Sequence, residues 1–361
     1  MHAAKLIDRY ERWCDRALVS DPGARAQKHR RMAASPFAFL RGSYPVWLDR
    51  FGADPAHEAA LVPLGVGDLH VENFGTWLAP AGEAFGVNDY DETGPVPFTN
   101  DLTRLAASAM LAAEAGHLAI GPHDIAAHVW SGYIGEPDTV GAVALQGDAV
   151  PHVAAVAAMW RAARPGVKRF ASGIDALPQA PAGAAPPSPA PGFALRAQRT
   201  RIAGLGSRDH PRVVLDGELD GERAVFERKP IAPATARFLA GGEPVPDPEP
   251  YAELLRRQDE RSPELRAQVR VDGVTVVRRL DPERGRIEIA DLPHRRDEHA
   301  LLWMMGHCTA AHHRLSADTG GFAAQLDAPG LDHAARRMVE TVVADHAEFA
   351  KHVSADGRLH A

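Results

Sequence analysis

The fold is decided by residues 67–75, GDLHVENFG, together with residues 88–93, NDYDET, which follow a short distance along the chain. Phosphoryl transfer needs an aspartate that accepts or orients the acceptor hydroxyl, and an asparagine five residues later that reaches a magnesium ion. It also needs a further aspartate that holds the metal against the β- and γ-phosphates. Asp68, Asn73 and Asp89 have these identities and this spacing. The pattern therefore predicts a phosphoryl-transfer site, while turn caps and solvated loop acids are the alternative interpretation of the same residues.

The segment GDLHVEN followed by NDYDETGPVPFTNDLTRLA resembles the aminoglycoside phosphotransferase branch of the protein-kinase-like superfamily. That branch has a Gly-Asp-Leu-His-x-x-Asn loop, then an Ile-Asp-Phe/Trp-Asp-x-Ala strand, then an Asp-Leu-Ala helix start. The resemblance implies that Asp68 is the catalytic base and that Asn73 and Asp89 are ligands of Mg²⁺. It also implies that Asp101 is a buried acid that braces the catalytic loop.

Three residues around the loop have more than one interpretation, and a fourth departs from the kinase pattern. Asp91 either assists at the metal or is exposed, and His70 either has the role of the loop histidine of the family or only hydrogen-bonds the turn. Arg41 faces either a phosphate or an internal carboxylate. Val66 stands where protein kinases have a histidine or another residue two positions before the catalytic aspartate. This departure argues against a protein kinase more than against an ATP-binding protein.

Composition and charge exclude several classes of protein. The chain has 361 residues, 45% hydrophobic and 24% charged, which is enough for one large or two medium globular domains. Its net charge of −7 provides no overall cationic field, so we expect neither nucleic acid nor an anionic membrane as a partner. Two cysteines, Cys14 and Cys308, do not suffice for a disulfide framework or a four-cysteine zinc site. A reducing compartment is expected.

The sequence carries no signal for export or for membrane insertion. Charged residues recur at helical intervals over residues 1–18, which indicates a surface helix and not a signal peptide. The most apolar stretches, 102–115 and 140–160, contain charged residues or proline, whereas a span needs about 20 apolar residues. We therefore predict a cytoplasmic protein.

A proline- and alanine-rich stretch divides the chain. Residues 177–192, LPQAPAGAAPPSPAPG, have no apolar periodicity and are typical of a semi-rigid spacer. The expected domains are a helical lobe with the catalytic and metal loops at 1–176, the linker at 177–192, a sheet-rich nucleotide lobe at 193–297, and helices returning to the helical lobe at 298–361. The strands of the nucleotide lobe are predicted at 212–216, 224–228, 269–271, 274–280 and 286–289.

The nucleotide-binding residues are predicted in that second half. A kinase needs a lysine on a strand, a helix glutamate that orients it, and a glycine-rich loop over the nucleotide. The loop candidates are Gly204, Gly206 and Ser207; Lys229 ends a predicted strand, and Glu253 is its candidate ion-pair partner. A turn and a solvated edge lysine are the structural alternatives.

The order of these motifs along the chain is unusual for a kinase. Lys229 follows Asp68, whereas an ordinary kinase has its lysine first. The fold class predicted is therefore α+β, a circularly permuted protein-kinase-like two-lobe fold with a small antiparallel sheet lobe and a larger helical lobe. Permutation is physically reasonable because domain termini are often close together at the surface.

Six segments together resemble the bacterial family known as domain of unknown function 2252, over about residues 28–320. They are KHRRMAASPFAFLRGSYPVW, GDLHVENFG, NDYDET, DLTRLAAS, GLGS and LLWMMGHCTAAHHRLSADTG. The resemblance does not identify a substrate.

Three functions follow from these patterns. The first is an ATP- and Mg²⁺-dependent phosphotransferase that acts on an unidentified hydroxyl of a small molecule. The second is a pseudokinase that binds nucleotide or serves as a scaffold without transfer. The third is a transition-metal hydrolase built on Cys308, His312 and His313. Cys308 and His312 share a helix face, although Cys308 also fits the apolar stripe of that helix.

Overall fold

The structure, a computed structural model, describes residues 1–52, 61–135, 140–145, 151–163, 166–181, 186–282, 285–286 and 288–360. These ranges form a mixed α+β protein with twelve α-helices and antiparallel sheets of two, four and five strands. No helix in the same ranges is long and apolar enough to cross a membrane. Part of the predicted linker, residues 182–185, lies outside the described residues.

Four helices precede the first strand: α1 (Ala3–Cys14), α2 (Pro22–Ala34), α3 (Pro36–Gly42) and α4 (Tyr44–Phe51). Helices α2 and α3 begin where Asp21 and Ser35 accept hydrogen bonds from the backbone N–H three residues later, and a proline follows each cap. The helix predicted at the surface over residues 1–18 is shorter than expected. One face of α1 is buried, because its apolar residues pack towards α4 and α12 (Ala328–Lys351).

A β-hairpin positions the two acidic segments. Strands β2 (Phe74–Ala79) and β3 (Gly82–Val87) are the centre of a four-stranded sheet of order β11-β2-β3-β5, where β5 is Val143–Ala144 and β11 is Gly285–Arg286. Phe74 pairs with Val87, so the residue before β2 and the residues after β3 meet at one end of the hairpin. The N–H of Asn88 donates to Asn73 O at 2.9 Å there. Strands β1 (Leu64–Gly65) and β4 (Gly94–Pro95) pair beside them.

The remaining helices pack around the hairpin. They are α5 (Phe98–Glu114), α6 (Pro122–Ile134), α7 (Pro151–Ala163) and α11 (Glu298–His313), with α12. Helix α8 (Gly166–Asp175) packs instead on the five-stranded sheet, where Ile174 contacts Val214 and Val225. Helix α11 packs against α5, α6 and α7, and α12 packs against α5 and α6. Gly132 and Gly306 allow the close approach of α6 and α11, because a Cβ atom at either would overlap a backbone carbonyl of the other helix.

The five-stranded sheet has the order β6-β7-β8-β10-β9. Its strands are β6 (Ala194–Arg201), β7 (Arg212–Leu219), β8 (Glu222–Pro230), β9 (Val269–Asp272) and β10 (Thr275–Leu280), and α9 (Thr235–Leu239) and α10 (Glu249–Arg261) lie between β8 and β9. The strands predicted at 212–216, 224–228, 269–271 and 274–280 are confirmed. Of the strand predicted at 286–289, Arg286 lies in β11, but β11 pairs with β2 in the other sheet. Residue 287 lies outside the described residues, and Ile289–Asp291 forms a 3-10 turn.

Candidate active site

Helix α5 braces the loop that carries Asp68. Three of its polar side chains, at positions i, i+3 and i+7, share one face of the helix and point at the loop. The carboxylate of Asp101 accepts hydrogen bonds from two consecutive backbone N–H groups, the Arg104 guanidinium contacts a carboxylate, and the Ser108 hydroxyl accepts one further N–H. Asp101 accepts from Val66 N at 2.7 Å and from Gly67 N at 2.9 Å. Arg104 Nε lies 2.9 Å from Asp68 Oδ1, and Ser108 Oγ accepts from Val71 N at 3.0 Å. One rigid helix thus fixes the loop at four points.

Asp101 is itself held from the opposite side. His313 Nε2 lies 3.0 Å from Asp101 Oδ2, and His313 Nδ1 lies 2.8 Å from the Tyr133 hydroxyl. Although burial opposes ionisation, the contact with His313 keeps the pKa of Asp101 below its ordinary value. Asn100 does not cap α5, which begins at Phe98; its amide donates to Gly67 O instead. The polar side chains of the first turn of α5 therefore hydrogen-bond to the Asp68 loop and do not cap the helix.

Gly67 has a backbone conformation that other residues rarely adopt. Its φ is +81°, and a Cβ atom there would lie 2.5 Å from Glu92 O. The glycine before Asp68 is therefore required both by the left-handed turn and by the close approach of the second acidic segment.

The Asp68 carboxylate lies at the centre of the site. It is 24% exposed and contacts the fully buried guanidinium of Arg104. Burial raises the pKa of Asp68 to about 6, because the loss of hydration outweighs the attraction of Arg104. A methyl group at Gly206 would lie 3.8 Å from Asp68 Oδ2, so the 204–207 loop passes directly over this carboxylate.

Lys229 joins the two halves of the chain. Its Nζ lies 3.0 Å from Asp89 Oδ1 and also contacts the carboxylate of Asp91. Although burial opposes ionisation, the positive charges of Lys229 and Arg212 hold the pKa of Asp89 well below its ordinary value. Burial and the neighbouring Asp89 raise the pKa of Asp91 to about 6. One ammonium group therefore stands between two carboxylates.

The oxygen donors at this position suit Mg²⁺. Asp89 and Asp91 supply carboxylates that already hold one cation, Lys229, and the Asn73 amide is oriented by its donation to Asp68 O at 2.5 Å. Mg²⁺ keeps several waters and needs only one or two protein carboxylates when it binds with nucleotide phosphates. These three side chains could therefore hold Mg²⁺.

The transition-metal site predicted on α11 lacks a comparable set of ligands. In the described part of the chain no three His, Cys, Asp or Glu side chains are grouped to hold a metal ion. Cys308 Sγ lies 3.6 Å from Phe85 O, and the His312 ring stacks on Tyr90. Burial lowers the pKa of His312 to about 4. These side chains belong to the core, and His313 braces Asp101.

Several of the candidate residues line two cavities that share a wall. A cavity of about 90 Å³ is lined by Asp68, His70, Asn73 and Gly206 with residues of α1 and α2. A cavity of about 930 Å³ is lined by β6, β7 and β10 on one side and by α8 and the end of β3 on another. Asp89 and Gly204 line both. The larger volume lies in the range of small-molecule sites.

Two of the predicted site residues contact internal partners. The Arg41 guanidinium contacts the Glu72 carboxylate, which corresponds to the internal-carboxylate interpretation. His70 is buried and its Nδ1 accepts a hydrogen bond from Glu72 N, as in the turn interpretation. Asp91 is not exposed, since its carboxylate is held by Lys229.

The predicted ion pair between Lys229 and Glu253 does not form. The Glu253 carboxylate contacts Arg256 and Arg257 on its own helix, α10, while Lys229 is held by Asp89 and Asp91. Arginines three and four residues away compete for this glutamate at helix spacing. Glu253 therefore forms ion pairs on the surface of α10 and does not orient Lys229.

Residues of the N-terminal helices hold the 204–210 loop, and sequence reasoning missed them. Lys28 Nζ lies 3.3 Å from Asp209 Oδ1 and 3.0 Å from Glu11 Oε1, and Arg25 Nε lies 3.0 Å from Asp209 Oδ2. The loop is also joined to α2 through its backbone, since Asp21 N donates to Asp209 O at 2.8 Å. We call Glu11, Arg25, Lys28 and Asp209 the loop clamp.

Comparisons with known proteins give one partial match. The model of a family described as "Uncharacterized protein conserved in bacteria (DUF2252)" matches residues 20–133, which include the Asp68 loop, the hairpin, α5 and most of α6. No curated protein and no solved structure matches the chain.

Asp101→Ala is expected to destabilise the protein. The change leaves the buried N–H groups of Val66 and Gly67 without acceptors, which costs about 1–3 kcal/mol for each group left unsatisfied. We therefore expect urea denaturation to give a lower free energy of unfolding and any activity to fall with it. The control is Asp124→Ala, since Asp124 is an exposed aspartate in the first turn of α6. Equal stability of the Asp101 variant and the wild type would contradict the bracing role.

Proposed function

We propose that this protein is an ATP-dependent phosphotransferase with a circularly permuted, kinase-like two-lobe fold. It transfers the γ-phosphate of ATP to a hydroxyl group of a small molecule. The observation that carries the proposal is the convergence of Lys229 with Asp89, whose atoms Nζ and Oδ1 lie 3.0 Å apart, because Asp89 lines one cavity with Asp68 and Gly206. These residues come from distant parts of the sequence, and together they are the groups that phosphoryl transfer requires.

The topology of the five-stranded sheet supports the same proposal. The loop at 204–207 connects the first two strands of this sheet, and Lys229 lies on the third strand in chain order. In protein kinases a glycine-rich loop covers the phosphates and the lysine is on the third strand. The sheet follows the Asp68 loop in sequence, so the permutation changes the order of the halves and preserves their contents.

The proposed roles follow from the positions of the side chains. Asp89, Asp91 and Asn73 would hold Mg²⁺, which neutralises charge on the nucleotide phosphates when it is bound. The nucleotide occupies the cavity of about 930 Å³, and the acceptor hydroxyl enters the smaller cavity beside Asp68. Arg104 orients the Asp68 carboxylate by its buried ion pair.

In the reaction, Asp68 accepts the proton of the acceptor hydroxyl as the hydroxyl oxygen bonds to the γ-phosphorus. The bond from that phosphorus to the β–γ bridging oxygen breaks, and ADP leaves with the electron pair. A carboxylate whose pKa lies near 6 is ionised at neutral pH and is therefore available as the base.

MgATP is expected to raise the melting temperature more than ATP with a chelator, because at equal concentration the ligand that binds the folded state more tightly stabilises it more. Asp89→Asn is expected to remove this difference, since the variant lacks a metal carboxylate. Asp124→Asn, outside both cavities, serves as the control and keeps the difference. An unchanged difference in the Asp89 variant would contradict the proposed metal position.

A second candidate function is nucleotide binding without transfer. The observation that favours it is that Arg104 already neutralises Asp68, and that Lys229 is engaged by Asp89 and Asp91. Stabilisation by MgATP with no formation of ADP, in the presence of water and a panel of hydroxyl compounds, would support this second function.

A further inference from the structure

The sheet face that carries Lys229 also carries three arginines around one glutamate. Glu227 lies two residues before Lys229 on β8, so the two side chains share a face. Arg278 on β10 pairs directly with Glu227, and Arg201 on β6 pairs directly with Arg212 on β7. We call Arg201, Arg212 and Arg278 the arginine cluster.

All three arginines contact the same carboxylate. Arg201 Nη1 lies 2.8 Å from Glu227 Oε2, Arg212 Nη1 lies 3.0 Å from Oε1, and Arg278 Nη2 lies 2.7 Å from Oε1. Glu227 is fully buried, and although burial opposes ionisation, the arginines hold its pKa well below the ordinary value. The cluster and its glutamate thus carry a net charge of +2.

This surplus charge calls for a further anion. Like charges directly opposite each other on neighbouring strands, as at Arg201 and Arg212, destabilise a sheet unless an anion compensates them. Glu227 compensates one of the three positive charges; Asp89 also interacts with Arg212 and Arg278, but its carboxylate is shared with Lys229. Arg212 is only 3% exposed, and its Nε hydrogen has no acceptor among the described residues. A buried guanidinium with an unused donor favours an anionic ligand.

The arginine cluster faces the larger cavity. Arg201, Arg212 and Arg278 all line it, and so does Asp89. The positive charges of Arg212 and Arg278 also lower the pKa of Asp89, which sets the cluster near the proposed metal position. Arg212 Nη2 donates to Ser207 Oγ at 3.0 Å, so the cluster is continuous with the 204–207 loop.

We propose that the arginine cluster binds the polyphosphate chain of the nucleotide, and that Lys229 serves mainly to hold Asp89 and Asp91. The inference rests on the proposed function and deepens it by assigning its phosphate site. Guanidinium groups bind phosphate oxygens through paired charge-assisted hydrogen bonds, and three of them on one wall match a ligand with several phosphates. A polyphosphate is the recognised unit, whatever base is attached to it.

The test uses inorganic tripolyphosphate, which has no base and no ribose. Calorimetric titration of the full chain without metal is expected to show binding. Arg278→Gln and Arg201→Gln are each expected to weaken it about tenfold or more, since each removes a charge-assisted contact. Both variants leave Glu227 with two arginines, so the fold is retained. The control is Arg196→Gln, because Arg196 is an exposed residue of β6 that pairs with Glu218.

The outcomes separate this inference from the proposed function. If both cluster variants bind tripolyphosphate as tightly as the wild type, or if the wild type binds MgATP but not tripolyphosphate, the phosphate assignment is overturned and transfer is unaffected. If tripolyphosphate binding is lost in the variants while the wild type forms no ADP, the phosphate assignment holds and the transfer function fails. Melting curves of the variants confirm that they are folded.

Discussion

Asp68→Asn is expected to slow phosphoryl transfer by about a hundredfold or more and to leave the affinity for MgATP nearly unchanged. Asparagine keeps an oxygen for the Arg104 contact, but it does not accept a proton at neutral pH. Asp68 lines the smaller cavity, whereas the nucleotide is assigned to the larger one. The change therefore removes the proposed base and leaves the proposed nucleotide site intact.

The measurement is the rate of ADP formation with water or a hydroxyl compound as acceptor, together with calorimetric titration of MgATP. Asp89→Asn is the informative comparison, because it should lose both turnover and the magnesium-dependent part of nucleotide binding. An Asp68 variant that forms ADP as fast as the wild type would remove Asp68 from the mechanism. A variant that loses MgATP affinity would instead assign Asp68 to the nucleotide site.

Local patterns in the sequence were sufficient for much of the five-stranded sheet. Alternating apolar residues and the Asp272-Gly273 turn predict β9 and β10, and Gly273 has the positive φ, +58°, that this turn requires. The strand predicted at 286–289 was placed in the wrong sheet, because the sequence of a short β segment does not indicate which strand it pairs with. Its pairing with β2 depends on contacts between residues about 210 positions apart, as Arg286 and Gly75 are.

The acidic motif predicted a site, but the groups that hold it in place were not predicted. Arg104 is read from the sequence only as a charge that interrupts an apolar helix. Its position three residues after Asp101 is the signal that could have identified it, since the two side chains share a helix face. A fully buried arginine in an apolar helix needs a carboxylate partner, and Asp68 is that partner.

Long-range ion pairs account for the other failures. Lys28 and Asp209 are 181 residues apart, and Arg201, Arg278 and Glu227 lie on three different strands. Charged side chains at these positions are typical of solvent-facing residues, so composition and periodicity give no indication of the pairing. The pairing of Glu253 with Lys229 is predicted only because a kinase needs a glutamate and a lysine. Arg256 and Arg257, at helix spacing from Glu253, are its partners instead.

Lys28→Met is expected to destabilise the protein by about 3–5 kcal/mol, because it breaks a buried ion pair by removing one partner. Lys28 is 3% exposed and lies between Glu11 and Asp209, at 3.0 and 3.3 Å. Methionine is long enough to fill the space, so the loss comes from the two carboxylates that remain buried without their shared ammonium. Urea denaturation at pH 7 measures the free energy of unfolding.

The destabilisation should depend on pH with a definite sign. Although burial opposes ionisation, the charge of Lys28 keeps the pKa of Glu11 and of Asp209 below their ordinary values. Carboxyls with a lowered pKa contribute stability above their unfolded pKa of about 4, and this stability is lost as the pH falls. In the variant the same carboxyls bind protons more readily. The gap between the two proteins is therefore largest at neutral pH and narrows towards pH 4.

Two further variants test whether the lost stability comes from the buried ion pairs of Lys28. Lys28→Met combined with Asp209→Asn should be more stable than Lys28→Met alone, since the second change removes one of the two carboxylates, Glu11 and Asp209, that are left to share Arg25. Lys5→Met, which replaces an exposed lysine of α1, should leave stability nearly unchanged. If Lys28→Met loses less than about 1 kcal/mol, or if the gap widens in acid, the loop clamp contributes no net stability. The 204–210 loop would then be held by its other hydrogen bonds to α2, from Asp21 N to Asp209 O at 2.8 Å and from Arg208 Nη2 to Gln27 Oε1 at 3.0 Å.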